Sequence, residues 1–289
     1  MPYYLPEDYE RFDNVIETVN GESPSFTVHV GDTKSGAAPC SDESYLQTLS
    51  QFAQFDHPLV YTPGDNEWTD CHREAAGGWD PLGRLGLIRE LFFSNSKSLG
   101  GGSSMELDVQ SADPRCSTFV ENGMWRKENV VFATLHLVGS RNNKQPDVPG
   151  AIEEFHARDE ANEFWLNLIF DEAERSKAVA VALFIHGNPF PERGSSSGES
   201  KPGMERFVSQ LRDLTVRFER PILLTHGDSH YFRIDKPLML SAESRDSIEN
   251  FTRLEVFGAR NMHALRVDVD PRSDRVFTVS GLIVEKNRR

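Results

Sequence analysis

The stretch PLVYTPGDNE, from Pro58 to Glu67, begins as an apolar strand and ends in a turn that carries polar side chains. Residues 58–62 have the short apolar run of a buried strand, and Pro63-Gly64 interrupts it immediately before Asp65. A polar side chain directly after a buried strand lies at the edge of a sheet, where side chains from several strands can meet. The stretch therefore predicts a strand that delivers Asp65 and Asn66 to a site.

Three further stretches repeat this design, in which a carboxylate or a His follows an apolar run. They are GDTKSG at 31–36, FIHGNPF at 184–190 and THGDSHYFR at 225–233. They add the candidate metal ligands Asp32, His186, Asp228 and His230. A single Gly-Asp pair is typical of an ordinary turn or helix cap. Four such clusters in one chain favour convergent ligands instead, because carboxylate oxygens and imidazoles bind divalent ions.

Apolar patterns along the chain alternate between the helical period and short buried runs, which predicts an α/β fold. No linker divides the sequence, so residues 1–289 are expected to form a single domain. The Gly- and Ser-rich segments 94–125 and 191–203 are predicted to be loop or lid insertions. The predicted helices are 7–19, 43–55, 84–93, 156–176 and 204–218, and the predicted strands are 26–30, 58–62, 130–138, 179–185, 221–225, 265–269 and 275–284.

Charge and hydropathy narrow the range of partners. The formal net charge of −14 disfavours nucleic acid, since proteins that bind it present a basic surface to the phosphates. No apolar run approaches the roughly 20 residues that span a bilayer, so no membrane association is expected. The first residues lack the pattern of a signal peptide, and the chain as given is expected to be soluble. Its location stays open, including a secreted or periplasmic one if an upstream signal segment exists.

The cysteines Cys40, Cys71 and Cys116 show no CxxC spacing, which disfavours a structural zinc site. Cys40 and Cys71 each follow a candidate ligand-bearing turn by a few residues. If those turns converge, the two sulfurs come within bonding reach. A Cys40–Cys71 disulfide and two free buried thiols are both left open.

The order of the four motifs resembles that of the calcineurin-like metallophosphoesterases over nearly the whole chain. The segments VHVGDTKSG, CSDESY and PLVYTPGDNEWTDCHR look like one bacterial and fungal branch of that superfamily. The resemblance implies two mixed β-sheets packed as a sandwich flanked by helices, in four αββα layers. It also implies two divalent metal ions (Mn, Fe, Mg or Zn) and a metal-bridging hydroxide that attacks phosphorus in line.

Individual roles follow from the same resemblance. Asp32 matches the metal-bridging carboxylate, Asp65 replaces the usual Asn ligand of the second metal, and His186 matches the His of that metal. Asp228 and His230 match the closing G-H-x-H motif, with Asp in place of its first His. A site with more carboxylates is harder, which favours Mn, Fe or Mg over Zn.

The sequence departs from the superfamily pattern at the proton donor and at the start. Asn66 stands where a His usually helps to protonate the leaving group, and Glu67, His72 and His226 are candidate substitutes for that His. Asn66 and His226 are the predicted catalytic residues. The branch pattern G-D-x-P-Y is met here only from Met1-Pro2-Tyr3 onward. The first strand and its metal-binding Asp are therefore expected to be missing, either because the domain is N-terminally truncated or because the first metal position is weakened.

The sequence thus predicts a metal-dependent hydrolase of small phosphorylated substrates. The alternative is a non-catalytic protein with the same fold and a degenerate metal site. A serine hydrolase that uses Ser229 is disfavoured, because the sequence shows neither a positioned base nor oxyanion donors for it. Substrate identity and oligomeric state are left open.

Overall fold

The computed structural model describes residues 2–191, 200–241, 244 and 246–288. Strands and helices alternate along most of this length, as the apolar pattern predicts. The helices are α1 Glu7–Glu22, α2 Asp42–Phe52, α3 Pro81–Phe92, α4 Ala151–Arg175 and α5 Glu205–Phe218. The strands are β1 Thr27–His29, β2 Leu59–Tyr61, β3 Asp108–Val109, β4 Gly123–Lys127, β5 Val130–Thr134, β6 Ala180–Phe184, β7 Ile222–His226, β8 Arg233–Asp235, β9 Phe251–Glu255, β10 Ala264–Val269 and β11 Phe277–Leu282.

The largest sheet has seven strands in the order β3-β4-β5-β6-β7-β9-β8. Its centre, from β5 to β9, is parallel, and both edges are antiparallel. Strands β5 and β7 are buried along their whole length, and β6 is buried except at its half-buried last residue. Such continuous apolar runs are typical of parallel strands that are covered on both faces.

A second β-layer packs against one face of this sheet. It consists of two separate two-stranded sheets, the parallel pair β1–β2 and the antiparallel pair β10–β11. Their side chains share one apolar cluster with the long sheet, in which Val28, Val60 and Val267 meet Phe132 and Leu223. The chain is therefore a β-sandwich, and its second layer is divided into two pieces.

Helices cover both outer faces of the sandwich. Helices α4 and α5 pack on the long sheet through residues such as Ile169 and Leu211, and α1, α2 and α3 pack on the second layer through residues such as Ile16 and Phe52. The predicted αββα fold class is confirmed. None of the described helices has both the length and the apolar character needed to cross a bilayer.

The structure describes the whole of the first predicted insertion and only part of the second. Residues 94–125 contain irregular stretches, short turns of 3-10 helix, strand β3 and the start of β4. Leu99 bridges to Leu59 at the start of β2, the end of that strand opposite Asp65. Their role as a lid stays a prediction. The segment 191–203 falls mostly on residues 192–199, which lie outside the described residues.

An apolar cavity of about 520 Å³ lies between β1 and β10. Among the described residues, β1 pairs with β2 alone and β10 pairs with β11 alone, so each strand turns its other edge toward the cavity. Tyr3 and Asp32 line the cavity at the end where β1 leads into its turn. The strand predicted upstream of Tyr3 concerns residues beyond those in this sequence and stays a prediction.

A strand-forming segment joined before Met1 should enter this cavity, because Tyr3 lies at one end of it. About six residues that alternate Val and Thr would pair with the free edges of β1 and β10 and bury apolar side chains. We expect the melting temperature to rise by about 3 °C, equivalent to about 2 kcal/mol in a chain of this size. An equally long Gly/Ser segment is the control, and equal melting temperatures for the two extended proteins would contradict the prediction.

Candidate metal centre

Three strands deliver three buried side chains to one point. Asp32 follows β1, Asp65 follows β2 and His186 follows β6. One ligand atom from each residue lies within 4.8 Å of the others. His186 Nε2 is 3.0 Å from Asp65 Oδ1 and 3.3 Å from Asp32 Oδ1. The sequence motifs therefore converge, as their positions after buried strands predict.

The glycines before the two aspartates permit this approach. A Cβ atom on Gly64 would lie 2.5 Å from the backbone nitrogen of Asp32. A Cβ on Gly31 would lie 2.5 Å from the nitrogen of Gly64 and 2.7 Å from His186 Nδ1. Real Cβ atoms do not approach other atoms so closely, so any side chain at either position would push the two turns apart. In each Gly-Asp pair, the glycine thus allows the close approach of the two turns and the aspartate supplies a candidate ligand.

The orientation of His186 suits a metal ligand. Its Nδ1–H donates to the backbone carbonyl of Val30 over 2.7 Å, which leaves Nε2 directed at the two aspartates. A ligating His usually has such a partner on its other nitrogen, which fixes the tautomer. Burial lowers the pKa of His186, but the charges of Asp32 and Asp65 outweigh it and hold the pKa well above its ordinary value. Without a metal ion, the ring is therefore a cation that partly neutralises the carboxylates.

Asp228 joins the cluster from the turn after β7. Its Oδ2 accepts a hydrogen bond of 3.0 Å from the backbone N–H of Asn188. Asp228 and Asp65 both face Gly139, since a Cβ there would lie 2.8 Å from Asp228 Oδ1 and 2.6 Å from Asp65 Oδ2. Burial raises the pKa of Asp228. A third carboxylate thus reaches the same buried region.

His230 lies on the open side of the cluster. Its side chain is 42% exposed, and its Nε2 is 3.8 Å from Asp32 Oδ2. The backbones of Asp32, Asp228 and His230 are all left-handed, with φ of 58°, 69° and 60°. This conformation costs free energy in residues other than glycine and is concentrated at functional sites. These three residues thus adopt an unfavourable backbone conformation, and that conformation sets the direction of their side chains.

A second ring of polar groups surrounds the aspartates. Ser140 Oγ lies 2.8 Å from Asp65 Oδ2 and 2.7 Å from Asp70 Oδ1, and Arg73 pairs with Asp70 at 2.7 Å. Burial and the charge of Asp65 raise the pKa of Asp70 to about 6. These residues were not predicted from the sequence. The usable signal for Ser140 is that it follows the apolar run 130–138 after a single glycine.

The two predicted catalytic residues have different surroundings. Asn66 is in the cluster, where its Nδ2 donates to Tyr3 Oη over 2.7 Å. His226 is fully buried, and its Nδ1 donates to the carbonyl of Gly227 over 2.9 Å. Burial lowers the pKa of His226 well below its ordinary value, so the ring is neutral. Catalytic roles for both residues stay predictions.

Glu67 and His72, the other candidate proton donors, are held by structural partners. Glu67 Oε1 accepts hydrogen bonds from the backbone N–H of Thr33 at 2.9 Å and from Tyr61 Oη at 3.1 Å. Burial and the nearby Asp32 raise the pKa of Glu67. His72 Nδ1 lies 2.7 Å from the carbonyl oxygen of Thr69. Both side chains therefore support the turn that carries Asp65.

Tyr3 is a site residue that the sequence analysis did not single out. Its hydroxyl donates to Asp32 Oδ2 and lies 3.1 Å from His230 Nε2. Burial and the charge of Asp32 raise the pKa of Tyr3 far above its ordinary value, so the metal-free protein holds a neutral phenol here. The available signal was the Pro-Tyr pair that the sequence shares with the superfamily branch.

The charges of the centre suit divalent cations. Asp32, Asp65, Asp228, Glu67 and Asp70 bring five carboxyl groups to the region, and all are buried or half-buried. Carboxylates packed so closely repel one another and raise each other's pKa unless cations compensate them. The set of Asp32, Asp65 and His186 is rich in oxygen, which fits Mn, Mg or Fe. The residues present therefore fit a divalent metal ion.

A disulfide between Cys40 and Cys71 closes a loop that contains Asp65. The two Cα atoms are 5.8 Å apart, both residues are fully buried, and the remaining cysteine, Cys116, is free and buried. The disulfide is one of the two alternatives that the sequence left open. It joins the segment after Asp32 to the segment after Asp65.

The raised pKa of Asp70 predicts how pH affects the metal-free protein. A carboxyl group whose pKa is raised by folding favours the folded state most below its unfolded pKa, and this contribution is lost as pH rises through the folded pKa. The contribution of Asp70 should therefore disappear between pH 4 and about 6. We expect Asp70→Asn to raise the melting temperature at pH 7 by about 3 °C, for about 2 kcal/mol, and to have little effect at pH 4. Thermal unfolding in EDTA at both pH values would measure this, and an equal shift at both would contradict it.

The disulfide predicts a second effect on stability. The two cysteines are 31 residues apart in sequence, a loop for which a cross-link stabilises the folded state by about 3 to 4 kcal/mol. We expect the Cys40→Ala/Cys71→Ala double variant to melt about 6 °C lower. Cys116→Ala is the matched control, and a shift of similar size in that variant would show that loss of a buried sulfur, and not loss of the cross-link, is responsible.

Comparisons with known proteins identify the fold. No family model matches this sequence, and no curated protein is significantly similar to it. TT1561 of Thermus thermophilus is 10% identical to this chain, covers 98% of this chain and 97% of its own, and has a TM-score of 0.48. PhoD is 12% identical, the match covers 87% of this chain and 54% of PhoD, and the TM-score is 0.53. The purple acid phosphatase PPD1 from yellow lupin (Lupinus luteus) seeds is 11% identical, the match covers 86% of this chain and 39% of PPD1, and the TM-score is 0.48. This chain thus spans about half the length of PhoD and less of PPD1. Of the three, PhoD exceeds a TM-score of 0.5, and the chain shares the fold of that structure.

Proposed function

We propose that this protein is a metal-dependent hydrolase of phosphoesters. The observation that carries the proposal is the convergence of Asp32, Asp65 and His186, whose ligand atoms lie within 4.8 Å of one another at the ends of three strands. The order of the motifs, which resembles that of the calcineurin-like metallophosphoesterases, supports it. The sandwich fold shared with PhoD is consistent with that resemblance.

The chain's own residues are arranged to hold two cations. Asp32 turns Oδ1 toward His186 and Oδ2 toward His230, so one carboxylate faces two positions. Asp65 is oriented by Ser140, and Asp228 by the N–H of Asn188. When bound, a pair of divalent ions lowers the pKa of coordinated water and neutralises charge that develops on phosphorus oxygens.

Cationic side chains beside the cluster favour an anionic substrate. Lys201 Nζ lies 4.0 Å from Asp228 Oδ2, and the half-exposed Arg73 lies within 3.4 Å of Ser140 Oγ. Both side chains reach solvent, so each can meet a phosphate oxygen that approaches the cluster. We propose a small phosphorylated substrate for this site.

Removal of a ligand should remove both metal and turnover. We expect Asp32→Asn and Asp65→Asn to lower metal-dependent hydrolysis of an aryl phosphate at least about a hundredfold, because even outer partners of a metal site are worth 10- to 100-fold. Metal content by mass spectrometry after Mn loading should fall in parallel. Asp147→Asn is the control, since Asp147 is exposed.

The same experiment separates the alternatives. Metal bound by the wild type without turnover of monoesters or diesters would favour the non-catalytic protein with a degenerate site. A wild type that binds no divalent ion would contradict the proposal, and so would turnover that Asp32→Asn leaves unchanged.

A further inference from the structure

The phenolic oxygen of Tyr3 has three polar neighbours from three parts of the chain. It donates to Asp32 Oδ2, lies 3.1 Å from His230 Nε2 and accepts from Asn66 Nδ2 at 2.7 Å. The ring of Tyr3 meets that of His230 edge to face, with centroids 5.0 Å apart. A tyrosine oxygen thus lies among groups that also serve as metal ligands.

The backbone around Tyr3 is fixed by a buried carboxylate. Asp8 Oδ2 accepts from the backbone N–H groups of Tyr3 and Tyr4, each at 2.9 Å. Asp8 is 1% exposed and pairs with Arg11 at 2.7 Å, and Arg11 in turn donates to the carbonyl of Ala259. These contacts anchor the segment before α1 on two sides, so the position of the phenol is built into the fold.

The ligand atoms divide into two sets that share Asp32. Asp32 Oδ1 belongs with Asp65 and His186, whereas Asp32 Oδ2 belongs with Tyr3 Oη and His230 Nε2. In the second set, His230 Nε2 is 3.1 Å from Tyr3 Oη and 3.8 Å from Asp32 Oδ2. Atoms that bind one ion at about 2.0 to 2.2 Å have separations of about 3 to 4 Å from one another.

We propose that Tyr3 is a ligand of the cation held by this second set of atoms, which it binds through its phenolate oxygen together with Asp32 Oδ2 and His230 Nε2. The proposal rests on the proposed function, because it assigns a ligand to the same centre. Binding releases the phenol proton to solvent, and the new oxygen–metal bond takes the place of the Tyr3–Asp32 hydrogen bond. Asn66 Nδ2 keeps its hydrogen bond to the phenolate and orients it.

The test is zinc binding, since Zn²⁺ is colourless and redox-inactive. Titration of the metal-free protein with Zn²⁺ at pH 7 should bind two ions per chain and produce the near-ultraviolet difference spectrum of one tyrosinate. We expect Tyr3→Phe to abolish that spectrum and to weaken binding of the ion beside His230 about tenfold or more, with the ion at Asp65 and His186 retained. Tyr4→Phe is the matched control, because Tyr4 is 52% exposed and should behave like the wild type.

The outcomes separate this inference from the proposed function. Two ions bound with equal affinity by Tyr3→Phe, or no tyrosinate spectrum in a wild type that binds two ions, would overturn the role of Tyr3 and leave the hydrolase proposal standing. A wild type that binds no ion would overturn both. Melting of Tyr3→Phe in EDTA close to that of the wild type would show that the loss concerns the metal and not folding.

Discussion

The mutual repulsion of carboxylates that are forced together is the constraint on which the rest of this centre depends. Asp32 and Asp65 approach one another because the turns that carry them touch through Gly31 and Gly64. The repulsion is offset in part by the imidazolium of His186. The remaining negative charge favours binding of a cation. The close approach of the two glycine turns therefore determines the affinity of the site for metal ions.

The second ring of contacts makes the centre rigid. Ser140, Asn188 and the carbonyl of Val30 hold Asp65, Asp228 and His186 in their orientations. The Cys40–Cys71 bond fastens the surrounding loops to each other. Ligands that are oriented in advance lose little conformational entropy when an ion binds, which increases affinity.

The layers of the fold were predictable because apolar periodicity is local. Every predicted helix and every predicted strand is present, with shifts of a few residues at the ends. The strands that were missed, β3, β4, β8 and β9, are short or carry charged residues. In β9, Arg253 and Glu255 pair with Asp235 and Arg233 of β8, and only the folded sheet brings these partners together. In the sequence alone, these charged residues therefore indicate a surface segment and not a strand.

The residues of the candidate site also fall into two groups, those that local sequence predicts and those that depend on tertiary contacts. Asp32, Asp65, His186 and Asp228 were recognisable because each follows a strand within a few residues. Ser140 and Asp70 meet across 70 positions of sequence. Tyr3 reaches Asp32 through a segment that is held by Asp8, a contact for which local pattern offers no rule. Convergence of strand ends can thus be predicted, whereas the groups that orient the ligands depend on tertiary packing.

The buried carboxylates also determine what a stability measurement of this protein would mean. Any ion that binds the folded centre and not the unfolded chain adds a free energy that grows with the logarithm of its free concentration, by about 1.4 kcal/mol for each tenfold increase above the dissociation constant. The melting temperature is then a joint property of the chain and of trace metal in the buffer. Preparations of identical sequence would therefore differ in melting temperature according to their previous exposure to chelators.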